Sequence, residues 1–442
     1  MQFSKNKSYQ YLFFVILTIY TIFNGGNSNI SIQINFILVS FLFLFCLKDK
    51  NYNLHLVNFY KDNQKSILIY FIFLSYLIFQ IIPLPLELLK LFSPEKYKFI
   101  NNLNADILTS SISLAPSNSF FQILNYITLL ILVFIIKMIF YTERHKNRFF
   151  LFLSFLGFIS SIIAITLYLN NNPDVITFKN LSYKDSSTGF FVNRTVFAVF
   201  LLFSFISCIE VLKNIQFNTH KKKDNFFLKI YIRLFVVFIT IGIITSFSRI
   251  GNFLFLVSIL FYLINQHFFS KNKINSIKYT LLLILLADIL IAGIYFGGSK
   301  IIDRFYFLSD EVIEIYSDEI YLSRLDIAKF SFTQLKKFLF FGYGTGSFES
   351  LFQINFLDLS NQYANHAHSD LFEFIGEFGL FGAILFFFSV SIFFKDRNSY
   401  SLINLIIMTY MIILLIFDFS MHVPLIQILF VIFFILNKKS FT

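Results

Sequence analysis

The run FFLFLSFLGFISSIIAITLYL, Phe149 to Leu169, carries no charged side chain. Crossing a hydrocarbon core of about 30 Å takes about 20 apolar residues of helix, so this run is long enough to span. In lipid the backbone has no water to bond, and a helix satisfies its amides within one segment. Arg144, Lys146 and Arg148 stand just before the run, and Asn170, Asn171 and Asn172 just after it. Comparable runs recur at 11–23, 30–47, 67–82, 121–140, 196–212, 230–244, 250–264, 279–296, 371–394, 402–417 and 423–436. The expected fold class is an all-α integral membrane protein with about 12 transmembrane helices and a large helical periplasmic loop.

Composition agrees. The 442 residues are 57% hydrophobic and only 14% charged, with mean hydropathy +0.71. Soluble domains run near 45–50% apolar and about 25% charged. The net charge of +11 would suggest nucleic acid in a soluble chain. Here the basic residues fall in short clusters between apolar runs, so topology explains them and no nucleic acid is expected. Cys46 and Cys208 both lie inside apolar runs, which argues against a disulfide framework or a cysteine zinc site. Lys5 and Lys7 precede the first run without a small-residue cleavage site, so it reads as a retained span.

An even number of crossings leaves both termini on one side. Loops on that side hold the basic clusters, Lys221, Lys222, Lys223 and Lys229 among them, whereas the short loops 24–29 and 419–422 hold no Lys or Arg. The positive-inside rule then places both termini in the cytoplasm. Three longer segments face outward: 83–118, with an amphipathic stretch at 86–99; 170–194; and 297–368, with helical spacing over 322–341. The chain divides into 1–296 with nine membrane helices and two smaller periplasmic segments, the large periplasmic loop 297–368, and 369–442 with three more helices.

Charge at membrane depth costs about 2.5–3.5 kcal/mol on insertion scales, so each such group needs a reason. Arg249, in Thr245-Ser246-Phe247-Ser248-Arg249-Ile250-Gly251, sits between two apolar runs with almost no loop. It reads either as a snorkelling interfacial arginine or as an anion site. The second reading rests on its planar fork of donors, with Ser248 and Gly251 at a helix start. Arg194, at the entrance to the next-but-one preceding run, admits the same two readings. Asp288 is a lone carboxylate in the ninth run and receives no role. Arg324 opens the helical part of the large loop. Gly342-Tyr343-Gly344-Thr345-Gly346 lacks the Gly-Lys-Ser/Thr of a Walker loop and reads as a tight turn that lets backbone approach another segment. Asn365-His366-Ala367-His368-Ser369-Asp370 is the densest polar cluster. Asp370 and Glu373 resemble a capping box, with a helix from about Leu371. His368 can be a structural histidine, a ligand in a His-x-His-x-Asp metal site, or a general base. Glu373 and Glu377 share a helical face with Asp370.

Taken together, these residues resemble the O-antigen ligase and O-antigen polymerase superfamily of bacterial envelope glycan transferases. Ser248-Arg249 with Gly251 is similar to its Ser-Arg-Gly motif, with Ile250 intervening. Arg324, followed by Gly342-Tyr343-Gly344-Thr345-Gly346-Ser347-Phe348, is similar to its loop arginine and Gly-x-Gly-x-Gly-Ser-Phe turn. His368-Ser369-Asp370-Leu371 with Glu377, Gly379 and Gly382 resembles its His-Asn-x-x-Leu…Glu-x-Gly-x-x-Gly motif, with Ser369 in place of asparagine. Ser113-Leu114-Ala115-Pro116 and 189–193 are weaker echoes. The resemblance implies transfer of a glycan from an undecaprenyl-diphosphate carrier to an acceptor hydroxyl at the periplasmic face of the bacterial inner membrane. Ligation of O-antigen to lipid A–core is the favoured form. Polymerisation and protein O-glycosylation are the alternatives within the superfamily, and a polysaccharide transporter is the alternative outside it. It further implies that Arg249 and Arg324 hold the diphosphate and that His368 serves as base. Arg194, Ser248, Gly344, Gly346 and His366 are further candidate contacts to diphosphate or glycan. Lipid-linked donor, lipid A–core or another glycan acceptor and membrane lipids are the expected partners. No cofactor, nucleotide or metal is expected.

Overall fold

The computed structural model describes residues 2–102, 107–173, 184–217, 222–269, 324–356, 364–395 and 401–437. The bundle is formed by α1 (Gln2–Ile22), α2 (Asn29–Leu47) and α3 (Lys50–Ile81), then, after the short surface helices α4 (Leu86–Phe92) and α5 (Pro94–Asn102), by α6 (Pro116–Ile139), α7 (Glu143–Leu169), α8 (Arg194–Phe217), α9 (Lys222–Thr245) and α10 (Arg249–Ile264). Two more short helices, α11 (Arg324–Lys337) and α12 (Phe348–Asn355), precede α13 (Asp370–Lys395), α14 (Leu402–Phe417) and α15 (Pro424–Leu436). Among the described residues eight helices are long and apolar enough to cross a membrane, and α14 and α15 are shorter apolar helices. The protein is an all-α membrane protein, as the hydrophobic runs require. The expected span at 279–296, Asp288 within it, and the first part of the large loop lie outside the described residues.

Polar side chains mark the helix starts. Ser28, Thr142, Ser248 and Ser401 each accept a backbone N–H from the first turn of the helix they precede, relieving donors that a helix start leaves unpaired. Outward faces remain apolar: Phe41, Leu44, Phe71, Leu260, Phe388 and Ile412 are exposed, as lipid contact demands. The centre is α8, buried on nearly every face between α7, α9 and α10. Small residues permit this closeness. A Cβ on Gly251 would lie 2.4 Å from Ala198 Cβ, so α10 crosses α8 with backbones nearly touching.

The starts of α2, α6, α8, α10, α13 and α15 gather at one end of the bundle, hereafter the site end. Asn29 Nδ2 reaches Asn118 Oδ1 at 3.5 Å, and Phe191 and Val423 both pack on Gly25. The amphipathic stretch 86–99 is two helices, α4 and α5, rather than one. The break falls at Ser93-Pro94, where proline has no N–H to continue the ladder. Strands β1 (Leu84–Pro85) and β2 (Thr109–Ser110) pair antiparallel beneath them. The large loop contributes α11, which packs along α13, and α12, whose Phe348, Leu351 and Phe352 join Tyr343 and Ala367 in a small core of their own.

Candidate active site

The site end is organised around a break in a membrane helix. Gly379, inside α13, has φ 67° and ψ 173°, a conformation essentially restricted to glycine. The break frees carbonyls and amides that lipid cannot satisfy. Residues 339–344 supply the partners: Leu380 N donates to Leu339 O at 2.8 Å, Tyr343 N to Gly376 O at 2.9 Å and Gly344 N to Glu377 O at 3.2 Å. From the other side Tyr76 Oη donates to Phe378 O at 2.8 Å and Gln80 Nε2 to Glu377 O at 3.0 Å. Gly342 permits the contact, since a Cβ there would lie 2.2 Å from Glu377 O. Leu114 N donates to Tyr343 O at 3.0 Å and Ala115 N to Ser347 Oγ at 3.1 Å, so the 113–116 segment clasps the same turn.

The half of α13 before the break presents Asp370, Glu373 and Glu377, all buried. Their partners come from three other segments. The turn Ser420–His422 between α14 and α15 places His422 Nδ1 against Asp370 Oδ1. Met421 N donates to Asp370 Oδ2 at 2.7 Å. His422 Nε2 lies 3.4 Å from Glu373 Oε1 and 3.7 Å from Glu377 Oε2. His366 Nδ1 lies 2.9 Å from Glu373 Oε1, and Ala367 N donates to Glu373 Oε2 at 2.7 Å. Gly346 N donates to Glu377 Oε1 at 2.7 Å. Burial lowers the pKa of His422, but the carboxylates of Glu373 and Asp370 outweigh it and hold the imidazole well above its ordinary value. Phe419 ties the cluster to His368: its ring stacks on His366 at 4.9 Å and meets His368 edge-on at 5.3 Å. His368 itself has φ 55°, a left-handed backbone that non-glycine residues adopt at some cost.

Beside this cluster two helices begin with arginine. Arg194 opens α8 and Arg249 opens α10. Ser248 Oγ donates to Thr195 Oγ1 at 3.1 Å, so the two starts touch. Phe247, just before them, also has a left-handed φ of 49°, which turns the chain sharply from α9 into α10. Arg249 is half-buried, and its Nε is buried without a hydrogen-bond partner. Two touching helix N-termini, each opened by an arginine, make a favourable field for an anion. The α8 helix packs against the Ser420–His422 turn, which brings the arginine pair and the histidine–carboxylate cluster to one end of the bundle.

A model of the O-antigen ligase family matches residues 234–387. Over that segment the chain is similar to the O-antigen ligase family. The segment contains Arg249, α10, the glycine turn, the His366–Asp370 run and the broken helix through Gly382. Comparison of the chain with curated proteins gives no match.

The expected residues whose side chains are described fall into three groups. His366 and His368 lie just before α13, both against Phe419, with Glu377 farther along that helix, and Arg249 with Ser248 stands at the start of α10 against Thr195, next to Arg194. Gly344 and Gly346 are in the clamp: Gly344 closes on Ser113 and the Gly346 amide is bonded to Glu377. Arg324 begins α11, and its side chain is not among those described. Asp370 does not act in a capping box. It crosses to His422, while Glu373 reaches back to Ala367, because a carboxylate beside an imidazole makes a charge-assisted bond stronger than one to a neutral amide. Sequence reasoning missed His422. Its only signal was a lone histidine in a short loop free of Lys and Arg, which by itself reads as surface.

Proposed function

We propose that the protein transfers a glycan from an undecaprenyl-diphosphate carrier to an acceptor hydroxyl at the periplasmic face of the bacterial inner membrane, in the form of O-antigen ligation to lipid A–core. The observation that carries this reading is the arginine pair: Arg194 and Arg249 open two touching helices, with Arg249 Nε buried and unbonded. A diphosphate is the anion that such a pair suits, because guanidinium forks match phosphate oxygens in pairs.

An apolar cavity of about 240 Å³ adjoins the site. Tyr70, Tyr126, Phe374, Phe378, Met421 and Phe430 line it, and Phe374 stacks on His422 at 4.1 Å. It lies within the helical bundle and suits a stretch of isoprenoid tail whose diphosphate is held at the site end. In this reading the acceptor oxygen attacks the anomeric carbon and its proton passes to His368. The bond from that carbon to the diphosphate breaks, and the released charge rests on Arg249, with Arg194 beside it and Arg324 from the large loop. Preorganised donors facing a developing charge are the largest catalytic factor available without a nucleotide.

The break at Gly379 favours a second reading, a polysaccharide transporter, since broken helices at membrane depth are a transporter feature. The break is nevertheless filled by residues 339–344 of the same chain, whose backbone bonds the amides and carbonyls it frees. Cells decide between the readings. Loss of a ligase strands long glycan on its lipid carrier outside the cytoplasm. Loss of a polymerase caps the core with a single repeat. Loss of a transporter keeps the glycan on the cytoplasmic side. Gel separation of lipopolysaccharide, with lectin labelling of intact cells, reads all three, and the first pattern is expected.

A further inference from the structure

We propose that His366 Nδ1, Glu373 Oε1 and His422 Nε2 form a binding site for a borderline divalent cation of the Zn2+ class. These three atoms lie within 4.8 Å of one another. Bonds of about 2.0–2.2 Å to a tetrahedral ion put its ligands about 3.3 Å apart. The two separations that involve Glu373, 2.9 Å to His366 and 3.4 Å to His422, bracket that value. Two imidazoles and a carboxylate suit zinc-like ions rather than Mg2+ or Ca2+, which take oxygen ligands.

A second, independent observation is the state of His422. It is 5% exposed, and its Nε2 is buried without a hydrogen bond while directed at Glu373 and Glu377. Its other nitrogen is bonded to Asp370. Histidine ligands are commonly held by a carboxylate on the nitrogen away from the metal. Glu373 is held likewise, since its second oxygen takes the Ala367 amide. Glu377 Oε2, 3.7 Å from His422 Nε2, is the candidate fourth ligand. Charge points the same way. Asp370, Glu373 and Glu377 are all buried, and the imidazoles of His366 and His422 face them. Buried carboxylates need compensation, and a dication supplies it.

The ligand set differs from the His-x-His-x-Asp pattern of the sequence: His368 is not in it, and Asp370 supports a ligand without being one. The ion would tie the end of the large loop, the start of α13 and the 420–422 turn together, and so fix the backbone from which His368 projects. The site is independent of the transfer reading.

The test uses the full-length protein in detergent, stripped with a chelator and reloaded with Co2+ alone. Bound metal is counted by mass spectrometry, and visible absorption reports tetrahedral geometry. One equivalent and tetrahedral bands are expected. Asp370→Asn should weaken binding about 10–100-fold. His366→Gln, at a half-buried position where folding is least at risk, should abolish the bands, whereas His368→Ala should keep both metal and bands while losing transfer. A folded, monodisperse wild-type protein that takes up no Co2+, or His366→Gln binding as tightly as wild type, would overturn the site. An imidazolium at His422 would then be what balances the carboxylates.

Discussion

Replacing Gly379 with alanine should unfasten the large loop from the bundle. The φ of 67° and ψ of 173° at this position cost a residue with a Cβ about 1–3 kcal/mol. The added carbon would also lie 2.4 Å from Phe340 O and 2.5 Å from Gly342 N. Both are backbone atoms that cannot swing aside, so the two segments must part. Parting them endangers the Leu380–Leu339 and Tyr343–Gly376 hydrogen bonds, each worth about 0.5–1.5 kcal/mol net and more if its groups stay buried. A local destabilisation of about 3 kcal/mol follows, which is somewhat more than a hundredfold in an opening equilibrium. Hydrogen exchange followed by mass spectrometry reads this directly. Amides of 339–346 and of Leu380 and Phe381 should lose protection about a hundredfold in Gly379→Ala, while α8 at the bundle centre keeps its own. Unchanged protection of 339–346 in the variant would refute the claim that the break and the turn hold each other.

Further outcomes can be stated from the same geometry. His368→Ala should lower turnover about 10²–10⁴-fold, the usual share of a general base, with donor binding intact in a lipid-linked glycan binding assay. Arg249→Lys should raise the donor KM about tenfold, because a single ammonium cannot reproduce the two-pronged bond to phosphate. Lys96, buried in α5, donates to the carbonyls of Ser111 and Ser113, and burial lowers its pKa from 10.5 to about 8. The folded state therefore sheds this proton earlier than the unfolded chain. Stability should climb between about pH 8 and pH 10.5 in the wild type relative to Lys96→Met, measured as the difference in apparent Tm across that range.

The bundle was legible because lipid imposes one rule on every crossing segment. Runs such as 149–169 and 196–212 needed only length and apolarity, and both are helices. The helix start at Ser248 was equally local, set by a hydroxyl one residue before the helix. The site was legible only in part. The His366–Asp370 run and the glycine turn are each contiguous, so their residues could be named before their partners were known. What could not be read was pairing across distance. Asp370 meets His422 over 52 residues, and the Gly379 break is filled from Leu339 and Phe340. Neither pairing leaves a periodic trace. The capping-box reading of Asp370 failed for this reason: local spacing suggested a bond within one helix, and a more strongly interacting group lay on another loop.

The central claim is that this end of the bundle breaks a glycan–diphosphate bond. Purified protein in lipid nanodiscs, given undecaprenyl-diphosphate-linked glycan and lipid A–core without nucleotide, measures it. The account predicts free undecaprenyl diphosphate and extended lipid A–core in equal amounts, and neither from Arg249→Ala. Donor recovered intact from a folded wild-type protein, or moved across the bilayer with its glycan still attached, would contradict it.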